Sequence, residues 1–255
     1  MHKTTMILKC AGLVFAIQQA ISQQCSPKEF HLKFNGKLSV DGYQTIFSAN
    51  GTSFGNAMHK CINFCYEDQR CIGVEVCELN PELFKCRVCC EWMKLGNHTE
   101  TQPGCKYLET IDENGENLAV TGELSTIFDE ENLFNGSNAV DGVTSCNIAP
   151  SMAANESEKA SWLRIGLKEK VRVWKVLLYN RQSYGDRLHD VSVNVTGNEI
   201  NHLCGFYPGP GGNGDQLLFL CKNGIIGDTV TITIQAKEGQ TEILNLCEVE
   251  VFAHP

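Results

Sequence analysis

The chain has 255 residues and 14 cysteines, with 30 acidic against 21 basic side chains and a formal charge of −9. Hydrophobic residues make up 42% and charged residues 20%, ordinary globular usage that excludes wholesale disorder. So acidic a surface repels phosphate backbones and speaks against a nucleic-acid binder, while that many cysteines point to an oxidising compartment.

Residues 1–22 read as an export signal. His2 and Lys3 open it, an apolar core runs from Ala11 to Ile17, and small Ala20 and Ser22 precede a cut at Gln23. No later stretch approaches the roughly 18 to 20 apolar residues that span a bilayer. No hydrophobic tail for a lipid anchor precedes Pro255. The expected product is secreted and extracellular, without membrane insertion. Asn-x-Ser/Thr sequons at Asn50, Asn97, Asn135, Asn155 and Asn194 lie near turn-forming residues, where a glycan would be solvated.

The cysteines divide the remainder. Cys25, Cys61, Cys65, Cys71, Cys77, Cys86, Cys89, Cys90 and Cys105 crowd residues 23–108, and Cys146, Cys204, Cys221 and Cys247 fall in residues 117–255. Between them, 109–116 is acidic and free of cysteine, as suits a linker. In the first unit Phe54, Met58, Cys61, Ile62 and Cys65 recur at helical spacing, and Ile72, Val74 and Val76 alternate as in a half-buried strand. The expectation is a small, disulfide-rich α+β module. So small a core needs crosslinks, each stabilising by roughly 2 to 4 kcal/mol.

The second unit is all β by its period. Val171 and Val173 alternate, as do Val191, Val193 and Val195, then Val230, Ile232 and Ile234, then Val249 and Val251. Short strands separated by Asn, Gly, Asp and Pro describe a β-sandwich.

The spacing Cys61-x3-Cys65-x5-Cys71 resembles the PAN/apple family. That resemblance implies bonds between Cys65 and Cys71, between Cys61 and one of Cys86 to Cys90, and between Cys25 and Cys105. An odd number of cysteines cannot all pair internally. Cys77, Cys89 and Cys90 depart from the family's simpler pattern, which leaves open a free thiol, a disulfide-linked homo-oligomer or a non-covalent one. The apple-like module would contact an extracellular protein or another glycan.

Residues 117–252 resemble the F-type lectin (fucolectin) family, a branch of the discoidin-like jelly rolls. The resemblance rests on Asn117-Leu-Ala-Val, Ser137-Asn-Ala-Val-Asp-Gly142, Ser145-Cys146, Trp162-Leu-Arg-Ile, Tyr179-Asn-Arg181, Arg187-Leu188 and Leu246-Cys-Glu-Val-Glu-Val251, in family order. It implies an all-β jelly-roll sandwich with Cys146 bonded to Cys247 and Cys204 to Cys221. The family binds sugar with a His and two basic residues. The basic pair sits in an Arg-x-Asp-x4-Arg/Lys stretch containing a Cys-Cys pair. Here Arg181 and Arg187 stand one residue closer, Ser183 replaces the acid, Tyr184-Gly185 replaces the cysteine pair, and Ile148 stands where the family has its His. Guanidinium groups donate directed hydrogen bonds to sugar oxygens, and Tyr184 supplies a stacking face. The resemblance further implies Ca2+ held by Asn138, Asp141, the Val143 carbonyl, Ser145, the Cys247 carbonyl and Glu248, an all-oxygen set that suits this hard cation.

Three patterns lead elsewhere and are set aside. Gly51-Thr-Ser53-Phe-Gly55 has the letters of a nucleophile elbow without the large parallel sheet that motif needs. Gly209-Pro-Gly211-Gly-Asn-Gly214 has the letters of a dinucleotide fingerprint but precedes a strand, and reads as a flexible loop. Cys86-x2-Cys89 is better placed in disulfides than on zinc in an exported chain. The expected function is a non-enzymatic, calcium-supported lectin for glycans, fucosylated ones among them, on cell or microbial surfaces. The alternative is an extracellular structural or protein-interaction component whose lectin fold has lost sugar binding.

Overall fold

In the computed structural model, residues 30–38, 42–95, 99–100, 103–110, 115–125, 133–147, 153–157, 159–236 and 240–253 are described. The export signal at 1–22, Cys25, Asn97 and Ile148 lie outside the described residues.

The N-terminal half comprises β1 (Phe30–Asn35), β2 (Lys37–Leu38), β3 (Tyr43–Gly51), α1 (Phe54–Glu67), β4 (Gly73–Asn80), β5 (Leu83–Leu95), β6 (Thr99–Glu100) and β7 (Cys105–Thr110). Helix α1 forms where the apolar spacing predicts it. Ala57, Cys61, Ile62 and Cys65 make one buried stripe against β3, β4 and β5. The Ser53 hydroxyl accepts from the Asn56 amide at 3.2 Å, capping the helix start. The sheet runs β1-β7-β4-β5, with β3 also paired to β5, all antiparallel.

Disulfides staple this half. Cys61 is bonded to Cys86, Cys65 to Cys71, Cys77 to Cys105, and the adjacent Cys89 and Cys90 to each other. The expected bond between Cys25 and Cys105 is therefore replaced. Cys77 stands directly opposite Cys105 in the β4–β7 register, with Cα atoms 4.0 Å apart, so Cys105 has a partner in reach that spacing could not reveal. Cys77, Cys89 and Cys90 are buried and bonded within the chain, and none of them is a free thiol for linking subunits.

The C-terminal half comprises β8 (Ala119–Leu124), β9 (Ala153–Ser157), β10 (Ala160–Tyr179), β11 (Val191–Gly197), β12 (Ile200–Tyr207), β13 (Gln216–Gln235), β14 (Glu242–Leu246) and β15 (Glu248–Ala253). Strands β10 and β13 form its antiparallel spine. β8 and β15 pair with β10, β11 pairs with β13, and β12 adds the edge. A second sheet, β14 with β9, closes over them. Val191, Val193, Val195, Val230, Ile232 and Ile234 point inward against Leu244 and Leu246, the alternation legible in the sequence. Cys204 is bonded to Cys221 and Cys146 to Cys247.

The two halves share one sheet. Trp92 to Leu95 of β5 pair antiparallel with Gln216 to Phe219 of β13. A common core lies at this seam, built from Tyr43, Ile72, Met93 and Tyr107 of one half and Trp174, Leu177, Leu218 and Phe252 of the other. Trp92 packs edge-on to Tyr207 with ring centroids 4.7 Å apart. Of the expected linker 109–116, Glu109 and Thr110 belong to β7, where Glu109 pairs with Lys33.

Candidate functional site

The loops beyond β10 and before β13 are locked together by backbone polar groups. The Asn180 side-chain amide donates to the carbonyls of Gly185 and Gly212, each at 2.9 Å, and the Asn180 N–H donates to Asp215 O at 2.9 Å. Gly211 N–H donates to Leu188 O at 2.8 Å, Gly214 N–H to Arg181 O at 2.8 Å, and Gly185 N–H to Asn213 Oδ1 at 2.8 Å. Gly185 must be glycine because a Cβ there would stand 2.3 Å from Gly212 O. The Gly-rich run expected to be a flexible loop is thus a braced one. Gln182 N–H donates to Cys146 O and Cys247 N–H to Tyr179 O, so the Cys146–Cys247 bridge holds the other side.

On this frame the predicted ligand-binding residues come together. Tyr184 takes a left-handed backbone, φ 52°, and is 63% exposed. The Arg181 and Arg187 guanidinium carbons lie 5.2 and 4.9 Å from the centroid of its ring. Arg181 is only 8% exposed, and its guanidinium donates to Asn147 O at 3.0 Å and Ser183 Oγ at 3.2 Å, while Nε is buried without a partner. Burial, then the Arg187 charge, pulls the Arg181 guanidinium below its ordinary pKa. Neither arginine forms an ion pair among the described residues. Ser183, standing where the family has an acid, instead hydrogen-bonds Asn147 Oδ1.

His189 and His202 do not join them. Both ring nitrogens of His189 face carboxylates, Asp190 at 3.1 Å and Glu242 at 3.3 Å. His202 sits exposed on the edge strand β12. Sequence reasoning missed Lys94, which reaches across the seam from β5. Its ammonium pairs with Asp215 at 2.8 Å, donates to Pro210 O at 3.4 Å and lies 5.7 Å from the Tyr207 ring centroid. Burial alone would depress it; hydrogen bonds to Asp215 and Tyr207 outweigh burial and hold its pKa above the ordinary value. Asp215 in turn accepts from Gly212 N–H at 2.6 Å. No local motif marks Lys94, because its role depends on the pairing of β5 with β13.

Of the residues expected to hold calcium, Cys247 and Glu248 sit where β15 begins, and the Asp141–Gly142 turn meets Glu248 there. Glu248 is 1% exposed, accepts from Gly142 N–H at 3.1 Å, and has its pKa pushed up to about 7. The cause is burial first; repulsion by Asp141 and Glu250 adds to it, while the Gly142 hydrogen bond opposes it. Asp141 accepts from Val143 N–H at 2.8 Å, and the Asn138 amide donates to Leu133 O at 2.8 Å. Val143 and Ser145 are exposed, and Cys247 is buried in its bridge. No group of three or more His, Cys, Asp or Glu poised for a metal occurs among the described residues. A cation here would draw on carbonyl and amide oxygens around two carboxylates. That donor set fits a hard ion.

The remaining candidates separate from this end. Ser53 is committed to its helix cap. A groove of about 570 Å3 lies in the N-terminal half between Phe54, Phe84, Glu78 and Lys106. Asn50 is exposed on β3, Asn194 half-buried on β11, and the Asn135 side chain accepts from Ser137 N–H at 2.8 Å; Asn155 lies on β9. No helix among the described residues is long and apolar enough to cross a membrane.

No protein-family model and no curated protein matches the chain. Among solved structures it is similar to an F-lectin (fucolectin) from striped bass (Morone saxatilis) serum. Identity is 26% over 68% of this chain, at a TM-score of 0.46. The match spans 57% of the length of that structure's chain. It is also similar to a fucose-binding module from Streptococcus pneumoniae, at 23% identity over 55% of this chain and 99% of that one, with a TM-score of 0.46. A lectin-binding domain of Lectinolysin complexed with Lewis b gives 23% identity, 55% and 98% coverage and a TM-score of 0.46.

Proposed function

We propose that this chain is an extracellular, non-enzymatic carbohydrate-recognition protein, with an F-type-lectin-like half that binds glycans on cell or microbial surfaces through Arg181, Tyr184 and Arg187. The observation that carries this reading is the exposed Tyr184 ring on a braced loop, with the Arg181 and Arg187 guanidinium groups 5.2 and 4.9 Å from its centroid. An aromatic face with convergent polar donors is what a sugar needs, since its C–H face stacks while its hydroxyls accept hydrogen bonds. Fucosylated glycans are the first ligands to test, on the sequence resemblance. The PAN/apple-like half serves as a buttress and a surface for protein partners. Its bonded, buried Cys77, Cys89 and Cys90 favour a monomeric or non-covalent state over a disulfide-linked one. Secretion would place a glycan on the exposed sequon Asn50.

Calcium is part of the proposal. Asp141 and Glu248 are the carboxylates that would hold it, with Asn138, Ser145 and the carbonyls of Val143 and Cys247 as further oxygen donors. The ion would offset the burial and the repulsion that raise the Glu248 pKa, and so stiffen the start of β15 beside the ligand loop. The test is a glycan array read with the folded protein in calcium and again in chelator. Binding of a defined glycan set that weakens in chelator supports the reading. A flat array from calcium-loaded, folded protein overturns it in favour of a structural or protein-interaction component.

A further inference from the structure

Resting on the carbohydrate reading, we propose that the Arg181–Tyr184–Arg187 cluster selects a saccharide carrying a negative substituent, a carboxylate or a sulfate ester, over a neutral one. Four other cations face acids: Arg70 faces Asp68, Arg87 faces Glu75, Lys94 faces Asp215 and Arg164 faces Glu123. At the loop tip two guanidinium groups flank one ring, and among the described residues no carboxylate answers either.

Arg181 makes the imbalance sharp. It is more than nine-tenths buried, its Nε has no hydrogen-bond partner, and its bonds to protein go to neutral oxygens of Asn147 and Ser183. A desolvated cation without a counter-charge is costly. Arg187, close enough to depress the Arg181 pKa, raises that cost. Asp186 is exposed and pairs with neither. The missing negative charge therefore comes with the ligand. A planar carboxylate or a sulfate suits guanidinium donors, and the sugar ring to which it is attached lies on Tyr184. Ser183 is the sequence feature behind this preference, since an acid at that position would neutralise Arg181 from within.

The rest of the molecule limits the ligand's size. At a net charge of −9 a long polyanion is repelled along its length. A single terminal charge is felt mainly by the arginines, because screening acts over about 8 Å at physiological salt. The ligand class is thus a glycan end bearing one acidic group.

Calorimetric titration of the full, calcium-loaded chain tests this with four monosaccharide glycosides: a sialoside, a 3-O-sulfated galactoside, the unsulfated galactoside and a fucoside. At least one acidic sugar is expected to bind tenfold or more above both neutral ones, and to lose affinity severalfold in 0.5 M salt. The sialoside and sulfate arms distinguish the two sources of charge. Arg187→Gln should lower the acidic-sugar affinity about tenfold at unchanged Tm, and Lys170→Gln, which removes a remote charge, should not. Equal binding of acidic and neutral sugars, or preference for the fucoside, overturns the inference and leaves the carbohydrate reading standing. So does acidic-sugar binding indifferent to Arg187→Gln. Binding of none of the four, with a flat array, overturns both.

Discussion

Tyr184 holds a left-handed backbone at φ 52° that a side chain other than glycine adopts at a cost of about 1 kcal/mol. Its neighbour Gly185 is pressed against Gly212, and its ring is exposed. Strain at an exposed aromatic is retained where the ring has a use. Tyr184→Gly is accordingly expected to keep or slightly raise stability, by up to about 1 kcal/mol in urea unfolding, while sugar affinity falls tenfold or more. A second residue sets a pH dependence. Lys175 is 4% exposed beside Trp174, and burial lowers its pKa from 10.5 to about 8, with Glu109 opposing. Between about pH 8 and 10.5 the unfolded chain keeps a proton that the folded chain has released, so stability rises with pH across that window and the full penalty applies below it. Lys175→Met should stabilise the protein at pH 7 by about 2 to 3 kcal/mol and flatten the rise, as urea titrations at pH 7 and 10 will show. Glu248→Gln makes a third case: calcium should raise the Tm of the parent protein and leave that of the variant unmoved. Arg181, Tyr184 and Arg187 were legible in the sequence because they are close neighbours in a recognisable stretch. Lys94 and Asp215 were not, since more than a hundred residues separate them.

At the scale of elements, α1 was legible because its apolar stripe and Ser53 cap are local signals. The inward faces of β11 and β13 were legible for the same reason. Cysteine pairing was only partly so. Spacing orders cysteines along the chain but says nothing of register, and it is the β4–β7 register that gives Cys105 to Cys77. The seam strand β5 carries the strongest element-scale prediction. Lys94→Met would remove the ammonium that faces Asp215, 9% exposed, and that holds the Pro210 carbonyl. The expected loss is about 3 kcal/mol in denaturant unfolding, accompanied by weaker sugar binding. Lys94→Met combined with Asp215→Asn should recover part of the stability, because no buried charge is then left unpaired. A loss below about 0.5 kcal/mol for the single variant would mean the brace lies elsewhere.

On the scale of the whole molecule, composition was enough to separate a cysteine-rich half from a β-rich half, and the acidic stretch 109–116 suggested a spacer between them. The missing information was the pairing of β5 with β13 and the core it encloses, a product of side chains far apart in sequence. Such contacts leave no period and no motif.

That pairing has a mechanical consequence. A load taken up at Tyr184 passes through the Asn180–Asp215 brace and Lys94 into β5 of the helix-bearing half. The two ends act as one lever arm. Cutting the backbone between Thr110 and Gly115 should therefore yield two fragments that still migrate together on a native gel, held by the strand pairing and the core it encloses.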